Sequence, residues 1–142
     1  MPKNPPDGYH NVTPQTIVDN AKETIDFLTN VFGAITHDIY EDGGRVVHSE
    51  VSIGDSRVMI ADSSEEFGRF PLMTNVYVDD VDATYQKALA SGATSLREPE
   101  DQFYGDRTAG VVDDQGNQWW MSTHIEDVSQ EEMARRMAEM PG

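Results

Sequence analysis

The chain has no cysteine. That excludes disulfides, thiolate metal sites and cysteine nucleophiles. Bases are scarce too, with 10 Lys and Arg against 26 Asp and Glu, a formal net charge of −16. Nucleic acids and anionic membrane surfaces need a basic footprint, so neither is expected as a partner. An acidic field instead favours cationic ligands, or serves only to keep the protein in solution. No run of about 18 apolar residues is present, so no helical membrane span is expected. The opening "MPKNPPDGYH" lacks the apolar stretch of a signal peptide, and its prolines deny it regular structure. It reads as an extended tail, and a cytoplasmic location follows as the expectation. Glycine-rich phosphate loops and nucleophile elbows are also missing.

What is present is a repeat. "VDNAKETIDFLTNVFGA" (18–34) is echoed by "VDDVDATYQKALASGA" (78–93), and Val18 falls 60 residues before Val78. Gly54 in "IGDSRVMIAD" is likewise echoed by Gly116 in "DQGNQWWMST". Two copies at this spacing indicate a duplicated supersecondary unit, not a solenoid. Each copy opens on a short strand ("TPQTIVD", "TNVYVDD") that leads into a helix. Ala21, Ile25, Leu28 and Phe32 recur at helical spacing, as do Val81, Tyr85, Ala88 and Leu89. Asn20 with Glu23 and Ser129 with Glu132 have capping-box spacing, and Gly33 and Gly92 suit the residue past a helix end. Three strands follow each helix, near 35–41, 45–53 and 57–62, then near 94–98, 107–112 and 117–124. The predicted class is α+β: two tandem βαβββ modules, 9–66 and 70–125, in one domain spanning 1–142, with a C-terminal helical segment at 126–142.

Alternation sorts the strands into faces. In "RVVHSEVSI", Arg45, Val47, Ser49, Val51 and Ile53 fall on the helix side, with His48, Glu50 and Ser52 opposite. In "QWWM", Trp119 and Met121 join the helix side, and Gln118 and Trp120 the other. The non-helix face mixes polar and bulky groups, as the wall of a groove does. Its candidate ligand-binding residues are Gln15, Asn75, Tyr77, Gln118 and Trp120, with Tyr104 on the loop "EDQFYGDR" (100–107). His48 and Glu50, two apart on one strand, place their side chains roughly 5–7 Å from each other. Such a pair suits acid–base chemistry near neutral pH, or simply orders the cavity. Asp106 and Arg107 read as a turn with an ion pair. His10, His37 and His124 show no metal-ligand spacing and read as surface or packing residues.

Paired βαβββ modules carrying "GYHNVTP", "GGRVVHSEVSIGDSRVMIADSSE" and "EPEDQFYGDRTAGVVDDQGNQWWMSTHIEDVS" resemble the vicinal oxygen chelate superfamily. This is the glyoxalase, bleomycin-resistance and extradiol-dioxygenase group, and the likeness is to its PhnB-like branch. The resemblance implies a curved mixed sheet around a cavity, and a homodimer. In the metal enzymes of this group, His, Gln or Glu ligands stand at the start of each module's first strand and the middle of its last. The matching positions here are Thr13, Met59 (or Val58), Met73 and Trp120. None is an imidazole or a carboxylate, so no metal site and no cofactor are expected there, while a divalent metal at another position stays open. The expectation for function is a protein that binds a small organic molecule in the concave groove between its modules, without the superfamily's usual metal. The alternatives are a lyase, isomerase or dioxygenase using His48 and Glu50 or a displaced metal, and a resistance protein that sequesters a cationic drug.

Overall fold

In the computed structural model, which describes residues 1–141, the two repeats become two four-stranded mixed sheets. The first contains β1 (Gln15–Val18), β2 (Ile35–Asp42), β3 (Arg45–Ile53) and β4 (Ser56–Asp62), in the spatial order β1-β4-β3-β2. The second contains β5 (Met73–Tyr77), β6 (Thr94–Asp101), β7 (Asp106–Val112) and β8 (Gln118–His124), in the matching order β5-β8-β7-β6. In each, the first strand pairs parallel with the last, and the other neighbours are antiparallel. Helices α1 (Ala21–Phe32) and α2 (Val81–Ala90) supply the crossovers, and α3 (Gln130–Ala138) follows β8. No helix among the described residues is long and apolar enough to cross a membrane.

The helices begin where side chains satisfy free backbone amides. Asn20 accepts from the Glu23 N–H at 3.2 Å, Asp80 from Ala83 at 3.1 Å and Ser129 from Glu132 at 3.1 Å. The reciprocal half of the first capping box is diverted, because the Glu23 carboxylate accepts from Gln115 instead. At the far end of α1, Gly33 takes φ 67°, the left-handed conformation that favours glycine. The stripes expected from sequence face inward: Ala21, Ile25 and Leu28 from α1, and Val81, Tyr85 and Ala88 from α2, are buried. They meet Val51, Val58, Ile60, Val111, Trp119 and Met121 from the sheets. Phe32 and Leu89 pack at the margin of this core, the Phe32 ring 6.0 Å from that of Trp119.

A buried polar clasp joins the modules. The Thr16 hydroxyl, on β1, donates at 2.5 Å to the side-chain carbonyl of Asn117, which also accepts from the Leu72 N–H at 3.1 Å. Asn117 in turn donates through its backbone and side chain to Asp113, and the Trp119 indole N–H donates to the same carboxylate at 2.8 Å. Asp113 is therefore a buried carboxyl group met by directed donors, the condition under which such burial is tolerated.

Three expectations need correction. First, β3 is bulged: Tyr40 pairs with His48, but the next residue, Glu41, pairs with Val46. The extra residue turns Val46 into the core at 1% exposure and leaves Val47 outside at 37%, so Arg45 and Val47 stand on the groove side with His48. Second, "EDQFYGDR" is not all loop. Glu100 and Asp101 end β6, Asp106 and Arg107 start β7, and the connection is residues 102–105. Asp106 and Arg107 do not pair with each other; Arg107 bridges Asp82 and Asp101. Third, α3 begins at Gln130 with Ser129 as its cap, where the capping-box spacing put it, but 126–128 of the segment assigned to it are not helical. Gly142, assigned by sequence to the same segment, lies outside the described residues.

Candidate functional site

The groove face of the first sheet opens into a pocket of about 270 Å³. Gln15 of β1, Arg45, Val47 and His48 of β3, Met59 of β4 and Phe67 of the following loop line it. Strand pairing puts Gln15 beside Met59, and its amide N–H lies 3.1 Å from the Met59 sulfur. Glu50 stands just behind: His48 Nε2 is 3.3 Å from its carboxylate. The strand spacing alone left these two side chains apart, and both lean together to close the gap.

The N-terminal tail adds a residue that sequence reading missed. The segment has no helix or strand, yet Tyr9 docks against Glu50 with the Arg57 guanidinium 4.9 Å from its ring centre. Burial, and then the neighbouring Glu50 charge, push the Tyr9 phenol up to about 12. In return the Tyr9 hydroxyl, and after it His48, hold the Glu50 carboxyl below the usual carboxylate range. Glu50 is thus ionised at neutral pH and presents an acceptor-only carboxylate.

The second sheet carries a different cluster. Tyr77 reaches from β5 across β8 to donate to Asp106 on β7 at 2.7 Å. The other Asp106 oxygen lies 2.7 Å from His124 Nδ1, and His124 Nε2 is 2.8 Å from Asp127. Asp106 is 5% exposed. Asp127 first, then Asp106, raise the His124 imidazole above its ordinary value, and the Asp106 hydrogen bond raises the Tyr77 phenol. His124, expected as an isolated surface or packing residue, is the centre of this network. Nothing local in "MSTHIED" signals it, because Asp106 arrives from another strand.

Trp120 lies flat over Gly110 of β7, where an added Cβ would come within 2.6 Å of the indole carbons. Its N–H donates to Gln118 at 3.1 Å, and the Arg97 guanidinium of β6 sits 5.4 Å from the ring. The predicted residues therefore fall into groups. Gln15 and His48 share the first pocket, with Glu50 behind them. Asn75 and Tyr77 border a separate cleft of about 440 Å³ with His10, Gly54 and Arg57. Gln118 and Trp120 hold each other. Tyr104 stands apart, 41% exposed and edge-on to Phe103.

The metal-ligand points carried over by resemblance also shift. Thr13 precedes β1, and the side chain opposite Met59 is Gln15; the equivalent pair in the second module is Asn75 opposite Trp120. Gln15 is of a type those enzymes use, but two neutral amides beside a thioether and an indole, with no imidazole or carboxylate among them, make a poor donor set for a divalent ion. Among the described residues no three His, Asp or Glu side chains converge on a common point.

The comparisons agree with this fold. Residues 11–121 match the profile of the Glyoxalase/Bleomycin resistance protein/Dioxygenase superfamily. An uncharacterized protein of Mycobacterium bovis is 30% identical over 139 residues, covering 89% of this chain and 91% of that one. Among solved structures, TioX from Micromonospora sp. ML1 superposes with a TM-score of 0.70 at 23% identity, over 82% of this chain and 99% of that one. A glyoxalase/bleomycin resistance protein/dioxygenase family enzyme from Burkholderia phytofirmans PsJN gives 0.65 at 18% identity, over 80% and 97%. These two likenesses concern the fold. With its duplicated modules and a profile match across most of its length, this chain belongs to the glyoxalase/bleomycin resistance protein/dioxygenase superfamily.

Proposed function

We propose that the protein binds a small organic molecule in the pocket on its first sheet, without the superfamily's metal. The observation that carries this reading is the pocket of about 270 Å³, in which Met59 and Gln15 stand where a metal enzyme places ligands. The volume is at the low end for small-ligand sites, and the lining combines apolar surface with a few directional groups. A methyl-NMR screen of small molecules against protein labelled at methionine tests it. Compounds that bind should shift the Met59 methyl, and a broad screen in which none does rejects the reading. Elemental analysis of the purified protein should find well under one equivalent of zinc, nickel, iron or manganese, and stoichiometric metal in the groove would refute metal independence.

A second reading, turnover, is favoured by the His48–Glu50 contact of 3.3 Å. An ionised Glu50 orients the imidazole, whose remaining nitrogen then exchanges a proton with a bound carbonyl compound. His48→Ala separates the two: loss of turnover with binding kept assigns catalysis, and parallel loss of binding assigns recognition.

We also propose that the chain works as a homodimer. Ile35, Ile39 and Tyr40 on β2, and Met73 and Tyr77 on β5, are exposed apolar side chains on sheet edges, which a second copy would cover. Sedimentation at micromolar concentration decides this, and a monomer there argues against it.

A further inference from the structure

Acids outnumber bases 26 to 10 in this chain, so every cation has carboxylates to choose from. Six of the ten bases take one, among them Lys22 with Glu41 and Arg107 with Asp82. Among the described residues Arg45, Arg57, Lys87 and Arg97 do not. Three of these four are arginines, and two of them spend their charge on rings: Arg57 on Tyr9, and Arg97 on Trp120.

Arg45 has no such use. Its single bond runs from Nη1 to the backbone carbonyl of Asp62 at 3.2 Å. The Asp62 carboxylate faces backbone amides, one oxygen accepting from the Ala21 N–H and the other from the Val46 N–H, each at 2.7 Å, and forms no ion pair with Arg45. Glu50 is engaged by His48 at 3.3 Å, and Glu66 is an exposed residue of the pocket lining. The bulge in β3 is what places Arg45 here, by turning Val46 inward. The half-buried Arg45 thus lines the pocket with most of its N–H donors unspent, in a lining that also holds Gln15, His48, Val47, Met59 and Phe67.

We infer that the ligand of this pocket is a small carboxylic acid, its carboxylate taken by Arg45 and its apolar body laid on Met59, Val47 and Phe67. The inference rests on the reading of this pocket as the ligand site. The overall charge of −16 points the other way, towards a cation. Range decides between them: at physiological salt exposed charges are screened beyond about 8 Å, whereas a forked guanidinium–carboxylate pair acts at contact and in partial burial.

The test is an isosteric series of one ring and three charges: benzoate, benzamide and benzamidinium, titrated into the full-length protein and read at the Met59 methyl and the amides of 45–48. Benzoate should bind at least about tenfold more tightly than benzamide, the gain expected of a charge-assisted hydrogen bond, and benzamidinium more weakly still. Arg45→Met should abolish the preference for benzoate with the thermal melt unchanged, and Arg45→Lys, which keeps the charge and loses the fork, should retain part of it. If Arg45→Met fails to fold, the wild-type series and movement of the Arg45 Nε–H resonance with benzoate decide alone. Equal affinity across the series, or a preference for benzamidinium, with shifts still in the pocket overturns the carboxylate and leaves the small-molecule pocket standing. No shift at Met59 with any of the three overturns the carboxylate inference, and the pocket itself then stands or falls on the broad screen.

Discussion

Trp119 and Trp120 are neighbours in the chain with opposite surroundings. Trp119 is fully buried, packed on Phe32 and bonded to Asp113; Trp119→Ala should cost about 3–5 kcal/mol in a denaturant melt, as large aromatic deletions in cores do. Trp119→Phe keeps most of the ring but withdraws a donor from a buried carboxylate, for about 1–3 kcal/mol. Trp120 depends on a missing side chain. Gly110 is needed for its lack of a Cβ, not for its backbone angle, so Gly110→Ala should lift the indole off β7. The check is a changed Trp120 emission in a Trp119→Phe background; an unchanged spectrum would mean that the ring does not lie on β7. Alternation in "QWWM" was enough to assign the two indoles to their faces. It had no means of showing that Arg97 and Gly110 both lie against Trp120, since both come from other strands.

Among the elements, helices and strands were legible because each announces itself locally, through apolar period, cap residue or turn glycine. The β3 bulge was not. One inserted residue reverses the face of everything beyond it, and nothing in "RVVHSE" marks where the insertion falls. Arg45 was accordingly assigned to the wrong side, and the residue that most narrows the ligand was hidden by a slip of one position. The C-terminal segment poses the opposite case: its cap was legible, its anchorage was not. Ser129→Ala should weaken α3 by about 1 kcal/mol. The anchor upstream is His124 between Asp106 and Asp127. Its folded-state value is raised, so the stabilisation is complete below the ordinary histidine range and is lost as pH climbs through the raised value. Melting temperature should therefore fall as pH rises above the ordinary histidine range, and His124→Gln should flatten that slope. A slope unchanged in the variant would place the titrating group elsewhere.

For the molecule as a whole, the duplication and the fold could be read from the repeat, because a two-module pattern leaves few ways to bury two amphipathic helices. How the modules grip each other could not, because Thr16 and Asn117 are 101 residues apart and neither belongs to a motif. Asn117→Ala strands the Thr16 hydroxyl and the Leu72 amide in a buried setting and takes one donor from Asp113, and should cost more than about 3 kcal/mol. Both modules should still melt in one transition, with tryptophan emission and far-ultraviolet circular dichroism coinciding. Two separated transitions would show that the halves fold independently.

That clasp also says something about descent. A duplicated gene begins with two interchangeable halves, and exchange ends when one half acquires a part that the other is shaped to receive. Here the second half owns the socket, Asp113 with Asn117, and the first half owns the plug, Thr16. A chain stitched from two first halves would set Asp55, which has no amide to donate onward, where Asn117 receives the Thr16 hydroxyl, and one stitched from two second halves would set Val76, which has no hydroxyl, where Thr16 stands. The two copies have become left and right, so change in one is now constrained by the other.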